Sequence, residues 1–147
     1  MPTSQQTCVF CNVISSDVSA NVVFEDDKSL AFLDHRPLFP GHCLVVPKEH
    51  FETLSDLPPG LLAPFFRSVQ LLTRAVELAL EAEGSFVAMN NRVSQSVPHL
   101  HVHVVPRRKK DGLKGFFWPR NKYASEADIV KIQQLIQSEV ARMQKLL

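Results

Sequence analysis

His99-Leu100-His101-Val102-His103-Val104-Val105 alternates imidazole with aliphatic side chains. On a β-strand successive side chains point to opposite faces, so the three histidines are expected on one face and Leu100, Val102 and Val104 on the other. One face is then wet and chemical and the other dry and packed. Imidazole is the side chain whose ordinary pKa lies nearest neutral pH, so a row of three on a rigid strand suits proton handling or nucleophilic attack. A single strand histidine is usually structural, but three in register in a chain with six histidines point to a site. One ion shared by all three is excluded by distance. At about 3.3 Å per residue His99 and His103 stand roughly 13 Å apart, too far for two bonds of ~2.0–2.1 Å to one metal.

The residues that feed this strand, Asn90-Asn91-Arg92-Val93-Ser94-Gln95-Ser96-Val97-Pro98, offer amides, hydroxyls and backbone N–H groups. Such neutral donors suit phosphate oxygens. Upstream, Val22-Val23-Phe24-Glu25, Ser29 to Leu33 and His42 to Val46 read as short strands, with Asp26-Asp27-Lys28 as a hairpin turn. Leu62, Phe65, Phe66, Val69, Leu72, Val76 and Leu80 recur at three- and four-residue steps, which predicts an amphipathic helix from Pro59 to Glu83, opened by Pro58-Pro59 and closed by Gly84. Ser85 to Asn90 and Leu100 to Val105 read as further strands, and Ser125 to Leu147 as a second helix with Ser125 as its N-cap. This order predicts an α+β domain, an antiparallel sheet with helices packed on it.

A chain of 147 residues at 45% hydrophobic content fits one domain with a real core, taken here as 1–147 with a flexible lead at 1–6 and a C-terminal helix at 125–147. The formal net charge of +1 gives no global field to recruit nucleic acid or a membrane. Met1 to Gln6 lacks the charged start and apolar run of a secretory signal, and no stretch approaches ~20 apolar residues, so a cytoplasmic location is expected.

The run His99 to Val105 resembles the signature of the histidine triad (HIT) superfamily of nucleotidyl hydrolases and transferases at every position. Ala31-Phe32-Leu33-Asp34, Pro40-Gly41-His42 through Lys48-Glu49-His50, Gln95-Ser96-Val97 and Val105-Pro106-Arg107 extend the resemblance in the same order, from about Cys8 to Trp118. The resemblance implies a five-stranded antiparallel sheet with a long helix, joined to a second copy in a homodimer whose sheets merge. It implies that His101 is the nucleophile, carrying a transient nucleotidyl group that water releases as a nucleoside monophosphate. His99 and His103 then orient or donate to phosphate, Asn90, Gln95 and Ser96 contact phosphates or leaving group, and Asp34 accepts from the ribose hydroxyls. Phe10 and Leu33 are apolar neighbours for a purine base. The family's loop usually has Gly before the Gln-Ser pair, where this chain has Ser94.

Cys8-Val9-Phe10-Cys11 is a C-x-x-C pair, which by itself reads as a redox motif, a zinc half-site or a coincidence. In some HIT proteins and in the similar galactose-1-phosphate uridylyltransferases such a pair binds zinc with two histidines. The matching positions are Cys8, Cys11, His50 and His99, a donor set suited to a closed structural Zn²⁺ site. Cys43, in an apolar strand, reads as a small buried hydrophobe. Arg107-Arg108-Lys109-Lys110 reads as a solvated loop or as a holder of distal phosphates, and Gly115 to Arg120 as an aromatic segment that packs at the site's rim or on the other subunit. The leading activity is hydrolysis of a dinucleoside polyphosphate, as in the Fhit-like side of the family. A Hint-like purine nucleoside phosphoramidase and a nucleotide- or metal-binding module with little turnover are the alternatives. No organic cofactor and no stable nucleic-acid partner are expected.

Overall fold

Val22–Glu25 (β1) and Ser29–Leu33 (β2) form the hairpin expected from their punctuation. The Asp26 carboxylate accepts from the backbone N–H groups of Lys28 and Ser29 at 2.8 and 2.7 Å, closing the turn with a side chain. Cys43–Pro47 (β3), Gly84–Ala88 (β4) and Val102–Arg107 (β5) complete an antiparallel sheet in the order β1-β2-β3-β5-β4. The computed structural model describes residues 7–113 and 120–146, and they fall into two compact units, Met1–Asp111 and Gly112–Leu147. The sheet lies in the first.

Both faces of the sheet are covered. Val9–Ile14 forms α1 and Pro59–Ala79 forms α2. The α2 stripe Phe65, Val69, Leu72 and Val76 packs with Ala31, Cys43, Val45, Leu100, Val102 and Val104. On the opposite side Phe10 and Val13 of α1 pack with Leu30, Phe32, Leu44 and Val46. Double coverage explains why β3 is buried at every position instead of alternating. Each buried aliphatic or aromatic side chain contributes about 1.5–3 kcal/mol of transfer free energy to this arrangement. Cys43 is buried in the α2 layer, as a small hydrophobe would be.

Helix α2 stops at Ala79, short of the expected Glu83. Glu81 adopts a left-handed φ of +50°, and the Arg108 guanidinium donates to the carbonyls of Leu80 and Glu81. A cation on the last carbonyls of a helix satisfies groups that have no intrahelical partner and favours the dipole. Arg107 and Arg108 of the basic run are therefore tied into the fold, while Lys109 and Lys110 are exposed, as a solvated loop would have them. Arg107 pairs with Asp111 at 2.5 Å, and Lys109 reaches Glu83 at 3.8 Å.

The histidine segment departs from expectation. Strand β5 begins at Val102, because Leu100 N–H donates to the Phe51 carbonyl at 2.6 Å and His99 N–H to Val97 at 2.9 Å instead of joining the ladder. Its histidine face is not wet either. His99 is 0% and His101 4% exposed, because α1, absent from the expected elements, lies over them.

In the second unit Glu126–Gln144 forms α3. Ser125 caps it by accepting from Asp128 N–H at 3.2 Å, with Glu126 and Asp128 in the first turn and Arg142 in the last, the charge order a helix dipole favours. Of the segment Gly115 to Arg120, all but Arg120 lies outside the described residues. Among the described residues no helix is long and apolar enough to cross a membrane.

Candidate active site

Gly41, at φ +97°, turns the chain into β3, and His42 follows with its N–H donating to the Phe39 carbonyl at 3.0 Å. Leu38 N–H donates to His42 Nδ1 at 3.1 Å, which makes that nitrogen an acceptor. In a neutral ring the proton must then sit on Nε2, which lies 2.9 Å from His103 Nδ1 and donates to it. The neutral His103 ring in turn carries its proton on Nε2. One backbone amide thus sets the tautomers of two rings.

His101 is fixed from the other direction. Its Nδ1 lies 2.7 Å from the His99 carbonyl, which can only accept, so Nδ1 is the donor and Nε2 keeps its lone pair. Burial lowers its pKa, against the opposing pull of that carbonyl and of Asp34. Burial, with the neighbouring His101 and His42 rings, lowers His103 to about 4. Both rings are therefore neutral at pH 7. They stand 5.1 Å apart at their centroids and line a cavity of about 340 Å³ with Phe10, Phe32, Leu33, Asp34, Ser96 and Val97. The lining thus joins apolar side chains to a carboxylate, hydroxyls and imidazoles.

Asp34 does two things. Its Oδ1 accepts from Arg36 N–H at 2.9 Å as a turn-former would, while Oδ2 lies 3.8 Å from His42 Nε2 at the cavity. Phe10, Leu33 and Ser96 line the cavity as the sequence reading expects. Asn90 and Gln95 are engaged in the loop instead. Asn90 Nδ2 donates to the Ser94 carbonyl at 3.2 Å, and Gln95 ties Arg92 N–H (2.8 Å) to the Glu52 carbonyl (2.6 Å). Ser94 takes a φ of +57°, the left-handed region that favours glycine.

The second cluster joins Cys8, Cys11, His50 and His99, whose ligand atoms all lie within 4.8 Å of one another. His99 Nε2 lies 2.8 Å from the Pro47 carbonyl, so it carries the proton and Nδ1 presents a lone pair toward the thiols. That nitrogen is 3.5 Å from each of Cys8 Sγ and Cys11 Sγ, and His50 Nδ1 is 3.2 Å from Cys11 Sγ. Bonds of ~2.3 Å to sulfur and ~2.0–2.1 Å to nitrogen in a tetrahedron place S and N ~3.5 Å apart, so the donor set fits Zn²⁺. The carbonyl on the far nitrogen is the usual outer support for a metal-bound histidine. Burial, with Cys8 beside it, pushes the Cys11 thiol up to about 11, so metal binding here would release protons.

Asp34, His42 and His103 also bring ligand atoms within 4.8 Å of one another. They do not fit a metal. The Leu38 amide holds the His42 proton on Nε2, the very atom that would have to coordinate. His42 is the residue that sequence reasoning missed as part of the site. Its signal was the Pro40-Gly41-His42 turn, which puts an imidazole at the start of a strand.

The HIT domain family matches residues 15–110. The chain is 35% identical over 113 residues to an adenylylsulfatase of Arabidopsis thaliana, covering 76% of this chain but only 57% of that protein's length. It is 30% identical over 147 residues to an adenosine 5′-monophosphoramidase of Candida albicans, covering 95% of each. It is 36% identical over 96 residues to an asymmetrical bis(5′-nucleosyl)-tetraphosphatase of Schizosaccharomyces pombe, covering 64% of this chain and 53% of the other. A crystal structure of a Zn-bound histidine triad family protein from Mycobacterium smegmatis superposes with a TM-score of 0.70 at 36% identity, covering 93% of this chain and 99% of that one. The fold, the histidine strand and these similarities agree: the chain belongs to the HIT family and is an enzyme of it.

Proposed function

We propose that the enzyme hydrolyses a nucleotide conjugate in two displacements at one phosphorus and releases a nucleoside monophosphate. The observation that carries this reading is the 2.7 Å contact between His101 Nδ1 and the His99 carbonyl, which leaves a neutral Nε2 facing the cavity. In the first displacement the Nε2 lone pair forms an N–P bond, the bond from phosphorus to the leaving group breaks, and the leaving atom, held by a hydrogen bond from His103 Nε2–H, takes a proton from solvent water. In the second a water oxygen attacks phosphorus, the N–P bond breaks, and the proton that this water loses replaces the one taken from solvent. Splitting one hard displacement into two is how nucleophilic catalysis lowers the barrier. Asp34 accepts from the ribose hydroxyls, Ser96 donates to phosphate, and the base lies between Phe10 and Leu33. Asn90 and Gln95 shape the phosphate loop from within.

The three named relatives act on conjugates that share a nucleoside 5′-phosphoryl group and differ in what leaves: sulfate, an amine, or a nucleotide polyphosphate. The phosphoramidate class is favoured for this chain over the dinucleoside polyphosphate class. Arg107 pairs with Asp111 and Arg108 grips the end of α2, so half of the basic run is committed to the fold and not to distal phosphates, and the phosphoramidase is matched over 95% of its length against 53% for the tetraphosphatase. Adenosine phosphoramidate and a diadenosine polyphosphate offered at equal concentration test the reading. Faster release of AMP from the phosphoramidate supports it, and faster release from the polyphosphate restores the alternative. AMP binding with turnover of neither would make the chain a binding module.

Zn²⁺ held by Cys8, Cys11, His50 and His99 would tie the N-terminal segment to the sheet without touching substrate. The free thiols of this set fit a reducing compartment such as the cytoplasm. Strand β4 lies at an edge of the sheet, where pairing with β4 of a second copy would extend the sheet in a homodimer. Sedimentation at twice the chain mass supports that assembly, and a monomer at micromolar concentration counts against it.

A further inference from the structure

Helix α1 carries two sets of residues with different business. Cys8 caps it, accepting from Cys11 N–H at 3.4 Å, and both thiols face His99. Between them, and one turn on, Val9, Phe10 and Val13 form a wall of the catalytic cavity. Phe10 is 8% exposed and packs edge-on against three rings, at 5.1 Å from His101, 5.5 Å from Phe32 and 6.0 Å from His99. The helix has six residues, three of them β-branched, too short and too poor in helix formers to hold its own conformation. Its placement depends on what grips it at its ends and its face.

We propose that α1 is a clamp that makes zinc binding and nucleotide binding mutually dependent, with Phe10 as the positioning residue between them. The inference rests on the nucleotide and zinc readings above. Drawing Cys8 and Cys11 onto His99 and His50 orders the helix and seats Phe10 against the His101 ring and the base. Conversely, a base packed on Phe10 orders the helix from its inner face and preassembles the thiols. The His99 main chain supplies a second link, since the ring that would take the metal belongs to the residue whose carbonyl orients His101. Thermodynamic linkage requires that any gain in nucleotide affinity on adding metal equals the gain in metal affinity on adding nucleotide. A purely structural zinc, remote from the site, would give no such reciprocity in the folded protein.

The test is a closed cycle of four affinities on the full chain. AMP binding is measured by calorimetry on zinc-loaded and on chelator-stripped protein, and zinc binding by competition with a chromophoric chelator in the presence and absence of AMP. The clamp predicts AMP affinity about 5–150-fold tighter with zinc, and the same factor in zinc affinity with AMP. Affinities equal within twofold in both directions, in protein that circular dichroism shows folded, overturn it. Where stripping unfolds the chain, the zinc-loaded Phe10→Ala and Phe10→Leu proteins carry the test. Phe10→Ala is expected to retain one zinc per chain, bind AMP several-fold more weakly and show no response of zinc affinity to AMP, with Phe10→Leu restoring part of the response. Undiminished coupling in Phe10→Ala overturns the clamp. Absence of AMP binding to the loaded wild type sinks the nucleotide reading, and absence of zinc uptake sinks the metal reading. Either takes the clamp with it, and the two are told apart by which partner fails.

Discussion

Two histidine clusters lie close together beside this sheet, and which ring nitrogen faces the partners, the bare one or the protonated one, separates them. At His99 the Pro47 carbonyl holds the proton on Nε2 and turns a bare Nδ1 toward two thiols. At His42 the proton is again on Nε2, because the Leu38 amide donates to Nδ1, but here it is the protonated nitrogen that faces the cluster and must donate to His103. The first arrangement is ready for a cation and the second is closed to one. Residue type would have given both clusters the same reading, because Asp34, His42 and His103 is a plausible ligand set by composition. The backbone partner of each ring makes the difference.

The largest effect is expected where the comparison turns to chemistry. His101→Gly removes the attacking nitrogen, and activity is expected to fall on the order of 10³-fold or more, toward the upper edge of what acid–base help alone supplies. AMP binding should remain, since Asp34, Ser96 and the apolar wall are intact. A variant that keeps most of its activity would move the chemistry off His101.

Removal of metal probes the other cluster. Metal analysis is expected to find about one zinc per chain. Stripping it, or Cys8→Ser, is expected to lower Tm by roughly 10 °C, from a loss of several kcal/mol at ~2–4 °C per kcal/mol for a chain of this size. An unchanged Tm in both would leave the thiol cluster without a structural role.

The pH response reads one histidine in each cluster, His99 and His103, both held at about 4. His103 is held at about 4 from an ordinary 6.5, chiefly by burial and then by the nearby His101 and His42, with Asp34 opposing. Between these values the unfolded chain binds more protons than the folded one, so stability is full above pH 6.5 and falls as pH drops toward 4. Urea midpoints in chelator-treated protein should therefore be lower at pH 5 than at pH 7.5, and His103→Gln should remove part of that slope, the rest coming from His99, which burial also holds at about 4. An equal slope in the variant would remove His103 as its source.

The smallest effect concerns the loop that leads to both clusters. Ser94 holds a left-handed φ of +57° where glycine is more at ease. Ser94→Gly is expected to raise Tm by about 1–3 °C, the relieved strain being partly offset by the greater freedom of glycine in the unfolded chain. A lower Tm would mean that the Ser94 side chain contributes more than its backbone costs.

How much of this was legible in sequence follows from how local each signal is. The hairpin around Asp26, the stripe of α2 and the Ser125 cap were legible because a few neighbouring residues determine them. The cysteine and histidine ligands were found through the family resemblance, and the structure brings all four together. Helix α1 was missed because six residues with little helix propensity carry no periodicity, and what holds it is the sheet beneath. The start of β5 was misplaced because the Phe51 carbonyl, 49 positions from Leu100, takes the amide that the strand would have used. The part of His42 in the site was missed for a related reason, since its role depends on a hydrogen bond to His103, 61 residues away.

The central claim is that His101 Nε2 becomes bonded to phosphorus. Rapid acid-free quenching of the enzyme during turnover of an α-labelled nucleotide phosphoramidate, followed by peptide mapping, tests it most directly. The account predicts one acid-labile, base-stable nucleotide on the peptide that contains His101 in the wild type, and none in His101→Gly. Label on another residue, or full turnover with no labelled peptide at any time, would contradict it.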